Sequence, residues 1–128
     1  MAPPVIQRWI DIIDNDHGER IEDLLAEDVV FHSPAVFTPQ KGRAITAKYL
    51  RAAMKVFGGN DFRYVGQWYA DRSAVLEFTA DIDGIHVNGI DMIGWNDADQ
   101  IVSFKVMLRP VKGLQAVIPR MAALLAPT

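Results

Sequence analysis

Hydrophobic positions recur at helical spacing in the first half of this chain and alternate in the second half. Val5, Ile6, Trp9, Ile10, Ile12 and Ile13 follow Pro3 and Pro4 at the period of an amphipathic helix, and the polar stretch from Asn15 to Gly18 ends it. A second, shorter helix passes through Ile21, Leu24 and Leu25. The run DVVFHSP predicts a brief strand stopped by Pro34, because proline cannot donate to a sheet ladder. Beyond TPQKG, Ile45, Tyr49, Leu50, Ala53, Met54 and Phe57 mark a third helix, closed by GGN at 58–60. From Asp61 to Arg109 the pattern is that of strands. DFRYVGQWYA, RSAVLEFTAD, IHVNGIDMIGWN and QIVSFKVMLR are separated by Asp71-Arg72, Asp83-Gly84 and NDAD, and connections this short predict an antiparallel meander. The segment KGLQAVIPRMAALLAPT reads as one more helix with Pro119 at or near a break. The whole is an α+β pattern, helices first and sheet after, expected to form one domain over residues 1–128.

One residue conflicts with this alternation. In VNGIDMIGWNDADQI, Asp91 falls in register with Val87, Ile93 and Trp95, the face that should be buried. Either the register differs or a carboxylate is kept in an apolar place.

Composition narrows the possible answers. A chain of 128 residues, half of them hydrophobic, buries roughly two-thirds of its unfolded surface around one core. The absence of cysteine removes disulfides and thiolate metal sites and suits a cytoplasmic setting. The N-terminal stretch acquires Asp11 and Asp14 too early for a signal peptide, and no run approaches the ~20 apolar residues of a membrane span. With a formal charge of −3 and scattered basic residues, neither nucleic acid nor a membrane is expected as partner. His17, His32 and His86 show no paired metal-ligand spacing, so no metal and no cofactor is expected.

The order of elements, with the segments EDVVFHSPAVF, KGRAITAKYL and GIDMIGWNDADQIVSFKVMLRP, resembles the nuclear transport factor 2-like superfamily, particularly its SnoaL-like and ketosteroid-isomerase-like branches. The resemblance covers nearly the whole chain. It implies a curved antiparallel sheet wrapped around N-terminal helices, a cone-shaped α+β barrel whose mouth can hold a ligand. In ketosteroid isomerases a strand aspartate lies ten positions before the isoleucine that opens the last strand, and Asp91 and Ile101 have that spacing. The resemblance therefore implies that Asp91 is a carboxyl group kept protonated to donate a hydrogen bond to a developing oxyanion. It also implies two departures. The isomerase's basic aspartate is replaced by Ser33, which cannot accept a proton near neutral pH, and its first-helix tyrosine by Trp9, which can only donate. Steroid isomerisation by the usual residues is not expected.

His32 is a candidate general base because an imidazole is suited to proton transfer near neutral pH, but alternation places it opposite Phe31 and Ser33; the competing reading is a histidine packed at the strand edge. Tyr49, Trp68, Phe78 and Trp95, with Trp9, Ser33 and Phe104, are the candidate wall for a small apolar or aromatic molecule, although the aromatic residues would look the same in a core. The outer sheet face, with Val65, Val75, Glu77, His86, Met92 and Met107 on it, is too apolar for free solvation and too polar for a second core, which suits a homodimer interface. Three classes remain open: an isomerase, cyclase or hydratase using Asp91 and His32, a non-catalytic binding module, and a protein-interaction dimer.

Overall fold

A computed structural model describes residues 1–126. Helix α1 (Pro4–Asp14) opens with proline, whose missing N–H has no partner to lose at that position, and buries Val5, Ile6, Trp9 and Ile12. A 3₁₀ turn (Gly18–Arg20) and the four-residue α2 (Ile21–Leu24) lead into β1 (Leu25–His32). A two-residue strand β2 (Gln40–Lys41), not anticipated from the pattern, pairs back on β1 before α3 (Arg43–Phe57). Strands β3 (Arg63–Tyr69), β4 (Ser73–Ile82), β5 (Ile85–Trp95) and β6 (Ile101–Arg109) form the expected meander, followed by α4 (Val111–Leu125).

The sheet order is β2-β1-β6-β5-β4-β3. Only β1 and β6 run parallel, which brings the first strand beside the last. The sheet stays open, with β2 and β3 as its edges. Between β4 and β5 the turn is made by Asp83 and Gly84, both at positive φ (53° and 78°), the hairpin geometry that matches strand twist. Helix α4 continues through Pro119 instead of breaking there. Pro119 and the Gln115 carbonyl it leaves unbonded both lie on an exposed stretch, where water can satisfy the carbonyl.

On the helix-facing, concave side, Ala74, Leu76, Phe78, Ala80 and Ile82 of β4 alternate inward, as do Val87, Ile93 and Trp95 of β5. Two apolar clusters form against it. One gathers α1, α3 and β1 around Trp9, Phe31, Leu50 and Phe104; the other gathers α3 and α4 around Val56, Phe57, Phe78 and Val117. Tyr64 and Val106 pack against both, and a cavity lies between the two.

Gly89 is a consequence of that packing. A Cβ there would come within 2.5 Å of Phe78 Cζ, 2.6 Å of Leu108 Cδ2 and 2.7 Å of the Met107 carbonyl. Its missing side chain is the room in which the Phe78 ring lies.

Candidate ligand cavity and its buried carboxyl

The cavity has a volume of about 720 Å³, within the range of small-molecule sites. Its closed end is formed by buried Trp9, Phe31, Leu50, Phe57, Phe78, Phe104 and Asp91; its mouth by exposed Asp14, Asp16, Lys55, Gly58, Gly59 and Asp61. The mouth therefore lies between the end of α1 and the α3–β3 loop. Of the mouth carboxylates, Asp61 pairs with Arg63 at 2.5 Å.

Asp91 is 6% exposed. It stands on the concave face of β5, opposite Leu76 of β4 and Val106 of β6, so its flanking positions across the sheet are apolar. The register inferred from alternation is the register observed. Tyr64 of β3 donates its hydroxyl to Asp91 Oδ2 at 2.6 Å, and Trp9 of α1 donates its indole N–H to the Tyr64 oxygen at 2.9 Å. Burial raises the Asp91 pKa from 3.8 to about 7, with the Tyr64 hydrogen bond pulling modestly the other way. Burial, then the charge of Asp91 beside it, pushes the Tyr64 phenol well above its ordinary value, so it stays protonated. The Trp9 and Phe104 rings meet in a T-shaped contact with centroids 5.0 Å apart, which helps fix the indole's direction.

Trp9, Phe78, Phe104 and Asp91 thus come together in one cavity, and the other candidates lie elsewhere. Trp68 is 58% exposed on the convex face. A β-bulge is responsible: Tyr64 pairs with Phe78 but Gly66 pairs with Glu77, leaving Val65 as an extra residue, so Trp68 falls opposite Val75. Tyr49 packs at a tilt against Phe31, centroids 5.4 Å apart, behind the cavity wall. Trp95 is buried near the far end of β5, in the core rather than the cavity lining. Ser33 accepts the Ala35 N–H at 3.1 Å in the turn after β1. His32 pairs across from Lys105 on the convex side, away from the cavity. A general-base role for His32 in this cavity is therefore withdrawn, because strand alternation turns it outward. Among the described residues no three His, Cys, Asp or Glu side chains cluster as metal ligands.

Tyr64 is the site residue that sequence reasoning passed over. The available signal was Gly66 inside a strand, which marks bulges; it would have separated the faces of Tyr64 and Trp68.

Residues 6–104 match the SnoaL-like domain family, and the chain belongs to it. Its fold is that of a steroid delta-isomerase from Pseudomonas aeruginosa, with a TM-score of 0.90 and 36% identity over 94% of this chain and 88% of that one. An uncharacterized bacterial protein with a cystatin-like fold from Silicibacter pomeroyi superposes with a TM-score of 0.86, at 31% identity over 94% of this chain and 84% of that one. An NTF2-like protein of unknown function from Mesorhizobium loti, 18% identical over 83% of this chain and 88% of that one, shares the fold with a TM-score of 0.73. No curated protein matches the chain. The fold is thus the nuclear transport factor 2-like cone, in which isomerases and cyclases also occur.

Proposed function

We propose that this protein is an isomerase- or cyclase-type enzyme acting on a small, mostly apolar carbonyl compound, with Asp91 as acid and hydrogen-bond donor. The observation that carries this reading is a carboxyl 6% exposed in an apolar cavity, with its pKa raised by burial to about 7. Near neutral pH such a group is in part protonated and donates a hydrogen bond to a substrate oxygen. As a base from the solvent takes a proton from the neighbouring carbon, negative charge grows on that oxygen, and a donor already in place at the closed end stabilises it without reorganising. The same carboxyl can give up and regain a proton at little cost, because its pKa lies close to the working pH.

The Pseudomonas aeruginosa neighbour, described as a steroid delta-isomerase, makes a rigid polycyclic ketone a reasonable member of the substrate class. This chain would handle it differently, since Ser33 cannot act as base and lies outside the cavity. Tyr64, whose hydroxyl donates to Asp91, holds that carboxyl at the closed end.

The test is exchange of α-protons for deuterium in a panel of enolisable ketones, followed by ¹H NMR. Wild type is expected to accelerate exchange for at least one apolar ketone, and Asp91→Asn to bind that ketone and lose the acceleration. Binding without acceleration in wild type would leave a non-catalytic binding module, the alternative reading.

We also propose that the protein works as a homodimer in a reducing cytoplasm, its convex faces apposed. Trp68, Val75 and Met92 lie in one cross-strand row and Ile90 and Met107 in the next, with Met92 37% and Met107 48% exposed. This partly apolar sheet face has the composition of an interface core within a polar rim.

A further inference from the structure

The hydrogen bonds around Asp91 have a fixed direction. An indole N–H can only donate, so the Tyr64 oxygen accepts from Trp9. The phenolic proton is then left for Asp91 Oδ2, 2.6 Å away. With the phenolic proton on Oδ2, the proton that Asp91 gains sits on Oδ1. Among the described residues no group hydrogen-bonds Oδ1, and that atom is not sealed in the interior, where Thr46 Oγ1 is the sole unpartnered side-chain atom.

We infer that Trp9 and Tyr64 are positioning residues that commit Oδ2 and turn Oδ1–H into the cavity, so that the closed end receives one uncharged carbonyl oxygen and rejects carboxylates. This rests on the reading of Asp91 as the ligand-facing acid and specifies its ligand. A second oxygen would find no donor, since the rest of the closed end is apolar and the Tyr64 proton is already used. An anionic head group would also have to pass Asp14 and Asp16 at the mouth, beside Lys55 and the Asp61–Arg63 pair. A neutral ketone meets neither obstacle.

The pH dependence of binding separates this from a purely structural role for the two residues. The probes are 2-acetylnaphthalene, a neutral ketone, and 2-naphthoate, its carboxylate counterpart, titrated calorimetrically from about pH 5 to about pH 9. Wild type is expected to bind the ketone about tenfold or more weaker at the alkaline end, as Asp91 loses its proton. Naphthoate is expected to bind at least about tenfold weaker than the ketone near neutral pH. Tyr64→Phe removes the donor to Oδ2, which lowers the Asp91 pKa, so the fall in ketone affinity should move to higher pH. Trp9→Phe should move it the same way by less, since the indole acts only through the Tyr64 hydroxyl. Either variant suffices should the other fail to fold. Asp91→Asn should abolish the pH dependence altogether. An inflection that disappears in Asp91→Asn but does not move in Tyr64→Phe or Trp9→Phe would overturn the directional chain and leave the Asp91 reading standing. Naphthoate bound as tightly as the ketone would overturn the ligand class. A wild-type inflection that persists in Asp91→Asn would remove both the chain and the Asp91 reading.

Discussion

Tyr64 and Asp91, on strands at opposite sides of β4, meet across the concave face through a 2.6 Å hydrogen bond. Twenty-seven positions separate them in sequence, and the curvature of the sheet together with the bulge at Val65 brings them into one pocket. The hydrogen bond stabilises the carboxylate, yet burial dominates and holds the Asp91 pKa up at about 7.

That balance makes folding stability depend on pH. Below 3.8, Asp91 is protonated in both the folded and the unfolded chain. Between 3.8 and about 7 the folded state holds the proton and the unfolded state has released it, so stability falls as pH rises and levels off above about 7. A rise of this size corresponds to roughly 4 kcal/mol. Asp91→Asn cannot ionise and lacks the fall. Urea denaturation should therefore show the variant gaining on wild type by up to roughly 4 kcal/mol from about pH 4 to about pH 7, with a constant difference above. A difference that does not vary with pH would mean that the carboxyl is solvated.

The cavity wall depends on a glycine. Gly89→Ala drives a methyl group into Phe78, Leu108 and the Met107 carbonyl, and should cost about 1–3 kcal/mol as an overpacked core does. Because Phe78 lines the cavity, the ring's displacement should also weaken ligand binding. Denaturation midpoints close to wild type would show that β5 and β6 can separate more easily than the packing indicates.

Most of the fold was legible in the sequence because each element carries its own period. Asp91 itself was legible, since a carboxylate in step with Val87, Ile93 and Trp95 reads the same way from spacing as from structure. Two features were not. The two-residue β2 is too short to show alternation and exists only by pairing with Val30 and Phe31. The bulge at Val65 changes which face Trp68 occupies, and strict alternation carried across it assigns Trp68 to the cavity. Local pattern fails wherever a single residue resets the register.

The convex face gives a prediction about assembly. A homodimer burying Met92 and Met107 would cover about 800 Å² per partner. Met92→Lys combined with Met107→Glu should then yield a monomer by sedimentation velocity while keeping the wild-type circular dichroism. A wild-type chain already monomeric at tens of micromolar, roughly the concentration at which such an interface should hold, would remove the dimer.

The account rests on Asp91 holding a proton near neutral pH, and carboxyl ¹³C NMR of protein labelled at aspartate measures this directly. The Asp91 resonance is identified by its loss in Asp91→Asn and followed through a pH titration. The structure predicts an inflection at about 7, shifting further upward in Tyr64→Phe. An inflection at or below the ordinary aspartate value of about 3.9 would show a carboxylate ionised in a polar site, and would contradict Asp91 as the acid of this cavity.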